Sequence, residues 1–81
     1  MVGIYEGNVS VLKIKLTLNA DNTCTLVASG MIMTGTYTAG GDRITLNVSG
    51  PMASFAYDGT FKKDMLILDY SGMKVKMKKV G

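Results

Sequence analysis

Three stretches of this chain alternate apolar and polar residues without interruption: Lys13-Ile14-Lys15-Leu16-Thr17-Leu18, Arg43-Ile44-Thr45-Leu46-Asn47-Val48 and Met73-Lys74-Val75-Lys76-Met77-Lys78. A period of two sends every apolar side chain to one face and every charge to the other. That is the pattern of half-buried antiparallel strands. No segment holds a helical period long enough to compete. The pattern constrains the fold class closely and the activity hardly at all.

Turn formers break the alternation at regular intervals, and the spacing predicts eight strands, over 2–6, 9–18, 23–29, 31–38, 43–49, 53–61, 65–70 and 73–80. Asn19-Ala20-Asp21-Asn22 tolerates left-handed backbone. Ala39-Gly40-Gly41-Asp42 and Lys62-Lys63-Asp64 suit short hairpin loops, and Ser29-Gly30 and Ser71-Gly72 suit two-residue primed turns. Gly50-Pro51 holds the only proline, where no ladder donor is needed. With every connection short, each strand pairs with the next. The expectation is an all-β, eight-stranded antiparallel up-and-down meander barrel, closed or nearly closed, with residues 1–81 as a single domain.

The inward face then carries Leu12, Ile14, Leu16 and Leu18, then Leu26, Met33 and Tyr37, then Ile44, Leu46 and Val48. Phe55, Tyr57, Leu66, Leu68, Tyr70, Val75 and Met77 follow, joined by Cys24, Met31 and Met73. An eight-stranded barrel has room for its own side chains or for one small ligand. With strands of only about six residues, these large side chains consume the lumen. A packed core is expected.

Composition narrows the chemistry. An apolar share of 47% in 81 residues is incompatible with disorder. No apolar run is long enough for a membrane-spanning helix. Cys24 is alone and histidine is absent, so there is no internal disulfide, no conventional zinc site and no usual general base. No cofactor is implied. Strand-like sequence begins almost at Met1, which leaves either a cytoplasmic protein or one whose leader has been removed. The net charge of +3 is too small to diagnose nucleic acid.

In order along the chain stand Gly3-Ile4-Tyr5-Glu6-Gly7, Leu16-Thr17-Leu18-Asn19-Ala20-Asp21-Asn22-Thr23, Gly35-Thr36-Tyr37 and Gly41-Asp42-Arg43-Ile44-Thr45-Leu46. This succession resembles small bacterial lipocalin-like domains, including the N-terminal barrel of NlpE-type envelope lipoproteins. It covers about the first 48 residues, with weaker likeness at Asp58-Gly59-Thr60 and Met65-Leu66-Ile67-Leu68. The resemblance implies a lipocalin-like barrel in a bacterial envelope or surface setting. The NlpE-type barrels carry a Cys-x-x-Cys in the first loop, where this chain reads Asn8-Val9-Ser10-Val11-Leu12. No metal or redox role is therefore carried over.

Each candidate site competes with a plainer explanation. Cys24 with Met31 and Met33 could hold Cu(I), but buried Cys and Met more commonly fill gaps in a core. Leu16, Tyr37, Phe55 and Tyr57 would line a pocket if the lumen took a ligand; as core residues, tyrosines need only reach the rim with their hydroxyls. Asp58 and Asp64 fall among turn formers, and Asp69 is expected to face Lys74 across a hairpin, so no acid pair for hydrolysis emerges. Asn8-Val9-Ser10 and Asn47-Val48-Ser49 match the glycosylation pattern, a frequent chance match that we read as unmodified. Val27 opposite Ile32, and Met65 near Ile67, put apolar side chains outside.

The least ordinary surface feature is basic. Lys13 and Lys15 point outward on the second strand, and Lys74, Lys76 and Lys78 on the last. If the first strand lies between them, five lysines face the single acid Glu6. Such a stripe suits weak contact with an anionic surface, or it protects strands from edge pairing. Sequence-specific nucleic-acid readout is not expected, because no aromatic points outward beside the lysines. The leading expectation is a non-enzymatic envelope or surface module, a monomer or weak homodimer, that touches a protein partner or neighbouring domain through its exterior. The alternative is a lipocalin-like binder of one small hydrophobic ligand.

Overall fold

The computed structural model describes residues 2–9, 12–28, 30–51, 53–63, 65–70 and 72–81, with only the backbone of Val9. They form β1 (Gly3–Val9), β2 (Leu12–Leu18), β3 (Thr23–Ala28), β4 (Met31–Gly40), β5 (Arg43–Ser49), β6 (Ser54–Lys62), β7 (Met65–Tyr70) and β8 (Met73–Lys79). Every strand pairs antiparallel with the next, and β1 closes on β8. The chain is an all-β, closed up-and-down barrel with no helix among the described residues. Closure gives every strand two partners and leaves no free edge for another chain to extend.

The turns follow from their residues. Asn22 and Lys63 take left-handed backbone at φ 68° and 52°, and Gly30, Gly41 and Gly72 lie at 76°, 61° and 84°. Ser29, Ser71 and Asp64, expected in three of these turns, lie outside the described residues, as does Ser10 of the first glycosylation pattern. The four-residue connection between β2 and β3 is held by its own polar groups. Asp21 accepts from both the amide and the hydroxyl of Thr23, and Asn19 donates to the Thr23 hydroxyl at 3.1 Å.

One expected boundary and one expected turn residue are corrected. Gly7-Asn8 was expected to break the first hairpin, yet β1 runs on to Val9, with Val9 opposite Leu12. A Cβ at Gly7 would come within 2.7 Å of the Lys76 carbonyl and 2.9 Å of Met77 Cγ, so glycine is there for the close approach of β8. Similarly, Asp58 is not a turn residue but lies within β6. Gly59 beside it faces Leu66 Cδ1 at 3.0 Å and Ile44 Cγ2 at 3.1 Å from its ideal Cβ position. Both glycines make space for packing inside a strand.

The core is aliphatic at mid-height, with Ile14, Leu16, Leu26, Leu46, Leu68 and Met77 all fully buried. Aromatic rings close both ends. At one end Tyr5 lies 6.0 Å from Phe61, with Tyr37 also buried; at the other, Tyr57 stacks between Tyr70 at 5.0 Å and Phe55 at 5.9 Å. Tyr5 and Ala28 are core residues the inward list omitted. Three residues on that list are exposed instead: Met31 by 53%, Phe55 by 43% and Met73 by 46%. Met31 and Met73 stand in the last pair of their hairpins, and Phe55 in the last but one. At the barrel end an inward direction no longer guarantees a covering layer. Leu12 and Tyr70 are half-buried for the same reason.

Candidate interaction surface

The lysine surface is assembled by barrel closure. β1 pairs β2 with Glu6 opposite Lys15 and Asn8 opposite Lys13. On its other side β1 pairs β8 with Glu6 opposite Lys78 and Tyr5 opposite Lys79. Lys13 and Lys15 on β2 and Lys74, Lys76 and Lys78 on β8 therefore lie exposed on the two strands that flank β1, with Glu6 in the row between Lys15 and Lys78. Of the five, Lys74 is the outlier, since it faces Asp69 on β7. Outward neighbours of the stripe include Val27, opposite both Lys15 and Ile32, and Met65, opposite Lys78.

A groove of about 710 Å³ runs over the β1–β2 side of this wall, lined by Glu6, Gly7, Asn8, Lys13, Ile14, Lys15 and Val27, with Gly30 and Val80 also bordering it. Its floor follows from the inward glycine. With no side chain beneath it, Gly7 sits close against Val75 and Met77. A second depression, about 300 Å³, lies over Gly59 and is lined by Arg43, Thr45, Asp58, Asp69 and Lys74 among others. There Asp58 and Asp69 stand directly opposite each other, and the Thr45 hydroxyl donates to Asp58 at 3.1 Å.

Two contributors escaped the sequence reading. Asn8 falls in the expected break between the first two strands, although the polar residues Glu6, Asn8 and Ser10 at every second position are a usable signal for an outward strand residue. Lys79 has inward parity but lies exposed at the barrel end.

The other candidates are dispersed. Cys24 is buried opposite Leu18 and Gly35, while Met31 pairs with Ala28, two inward positions further along β3. The sulfurs of Cys24 and Met31 thus belong to different layers, and burial raises the Cys24 thiol pKa above its usual value. Of the possible ligand-lining residues, Leu16 is fully buried at mid-height. Tyr37 gives its hydroxyl to the Asn19 carbonyl, and Phe55 and Tyr57 belong to the stack at the opposite end. The four do not share one mouth. Burial, with a neighbouring tyrosine second, also raises the pKa of Tyr5 and Tyr57. Among the described residues no three His, Cys, Asp or Glu side chains gather as metal ligands. No described helix is long and apolar enough to cross a membrane.

Comparison of the chain with protein-family models, with curated proteins and with solved structures found no match.

Proposed function

We propose that this barrel is a non-enzymatic module of a bacterial envelope or surface, working by contact between its exterior and an acidic protein partner or neighbouring domain. The observation that carries the reading is the gathering of lysines from β8 and β2 around β1, with one acid among them. Charge of one sign on a contiguous wall raises the encounter rate with a complementary surface and weakens with salt. The filled lumen supports an exterior mode of action, because its aliphatic mid-layer is fully buried. The envelope setting rests on the likeness to NlpE-type barrels.

The test is a nuclear magnetic resonance titration with polyglutamate at low salt. The reading expects amide shifts on β8, β1 and β2 that fade at physiological salt and shrink in the Lys74→Gln/Lys76→Gln/Lys78→Gln variant. Absence of any response at low salt, or shifts centred on β4 and β5, would overturn it.

A second reading has its own observation. Met31, Phe55 and Met73 expose apolar surface at one barrel end, where a compact hydrophobic ligand could rest on the Tyr57 stack. A tight one-to-one complex with a fatty acid or probe dye, with shifts confined to that end, would favour it.

A further inference from the structure

Glu6 reveals what the lysine wall accommodates. It is a carboxylate standing in a cross-strand row between Lys15 and Lys78. The neighbouring row has the same construction without the acid. Asn8 stands opposite Lys13, and on the other side of β1 the strand β8 runs from Met77, the partner of Gly7, to the exposed Lys76 next to it in sequence. Two lysines thus flank a neutral amide where the adjacent row has a carboxylate. Asn8, Lys13 and Glu6 all line the groove.

We propose that the position over Asn8 is a seat for a carboxylate supplied by a partner, and that the partner is an extended acidic segment lying along β1. This deepens the acidic-partner reading and rests on it. The period of the wall argues for an extended segment. Lysines on β2 and β8 recur every second residue, roughly 6.8 Å apart, which is also the spacing of same-side residues in an extended peptide. Acids at alternate positions therefore meet successive lysine rows in register, while a contiguous acidic block turns half its charges away. Shape argues against a membrane. The barrel measures 32 × 28 × 23 Å and is convex, so a flat bilayer meets it along a line, whereas a narrow segment enters the groove. The attraction is charge complementarity between solvated groups, so the complex is weak and salt-sensitive.

The experiment compares two short peptides of identical composition, one with glutamate at every second position and one with its glutamates in a block. Affinity is measured by fluorescence anisotropy at low salt. The alternating peptide binds about fivefold tighter, the gain expected from one or two additional solvated ion pairs. Glu6→Gln empties the occupied row and tightens binding; Asn8→Glu fills the vacant row from within and weakens it severalfold. Lys13→Gln/Lys76→Gln weakens it too, and Lys62→Gln on β6 does not. Circular dichroism checks that each variant is folded, and Glu6→Gln keeps the test decisive if Asn8→Glu does not fold. Equal affinity for both peptides overturns the seat while leaving the acidic-partner reading intact. Binding to phosphatidylserine vesicles with neither peptide bound overturns both in favour of a lipid surface.

Discussion

Tyr37 donates its hydroxyl proton to the backbone carbonyl of Asn19, 2.7 Å away and eighteen residues earlier in the chain. The Tyr37 amide also donates to the Asn22 carbonyl at 2.9 Å, so β4 holds both ends of the β2–β3 turn. Tyr37→Phe keeps the ring packed and removes only the hydroxyl bond. It should cost about 1 kcal/mol, read from the urea midpoint at unchanged m-value. Faster amide exchange should be confined to residues 19–23. An unchanged midpoint and exchange pattern would show that the bond contributes nothing.

Acid should loosen the same turn. Side-chain and backbone hydrogen bonds from Thr23 lower the Asp21 pKa below its usual value. A depressed carboxyl pKa means the folded chain binds the proton less tightly than the unfolded one. The contribution is therefore present above the unfolded pKa and lost as pH falls through the lower, folded one. In Asp21→Asn, the protection of the turn amides relative to their intrinsic exchange rates should no longer change across that acidic window.

Glycine is required at Gly35 and dispensable at Gly40. A Cβ at Gly35 would overlap the Asn47 carbonyl oxygen on β5, which as backbone cannot move aside, whereas nothing lies within 4 Å of one at Gly40. Gly35→Ala should cost about 3 kcal/mol or more, or prevent folding. Gly40→Ala should change stability by no more than about 0.5 kcal/mol. Thermal melts of both variants decide it, and a benign Gly35→Ala would contradict the strand approach described.

Alkali should destabilise the barrel in two stages. Burial raises the Cys24 thiol above 9.0 and the Tyr5 and Tyr57 phenols above 10.0. Groups whose folded pKa is raised hold protons that the unfolded chain releases first. Their stabilisation is complete below the unfolded pKa and is lost as pH rises through the folded one. The urea midpoint should therefore begin to fall near pH 9 and fall more steeply beyond pH 10. Cys24→Ala should remove the earlier onset only. Native Cys24 should react slowly with thiol reagents, and fast labelling would contradict its burial.

The aliphatic mid-layer should carry much of the stability. Leu46 is fully buried between Tyr37 on β4 and Tyr57 on β6. Leu46→Ala should cost about 2–5 kcal/mol, depending on how far its neighbours close the space. Differential scanning calorimetry would measure the loss, and a cost below 1 kcal/mol would mean that the lumen is looser than its burial shows.

Much of this molecule is legible from alternation because side-chain direction in a strand is a local property. Ile14, Leu16 and Leu18, with lysines between them, need no tertiary information to divide into two faces, and the short turns leave only the next strand as a partner. The expected pairs Leu26–Met33, Val27–Ile32 and Asp69–Lys74 are all present. Local pattern fails where a residue's role depends on what lies across the barrel. Gly7 falls in an expected break between strands, but the close approach of β8 requires a glycine there within β1. Phe55, Met31 and Met73 keep their inward parity, yet only the height of the neighbouring strands determines whether anything covers them. The row Lys15–Glu6–Lys78 is likewise a product of closure. Its ends are 63 residues apart in the chain, and only the β1–β8 register, which no local period encodes, brings their charges together.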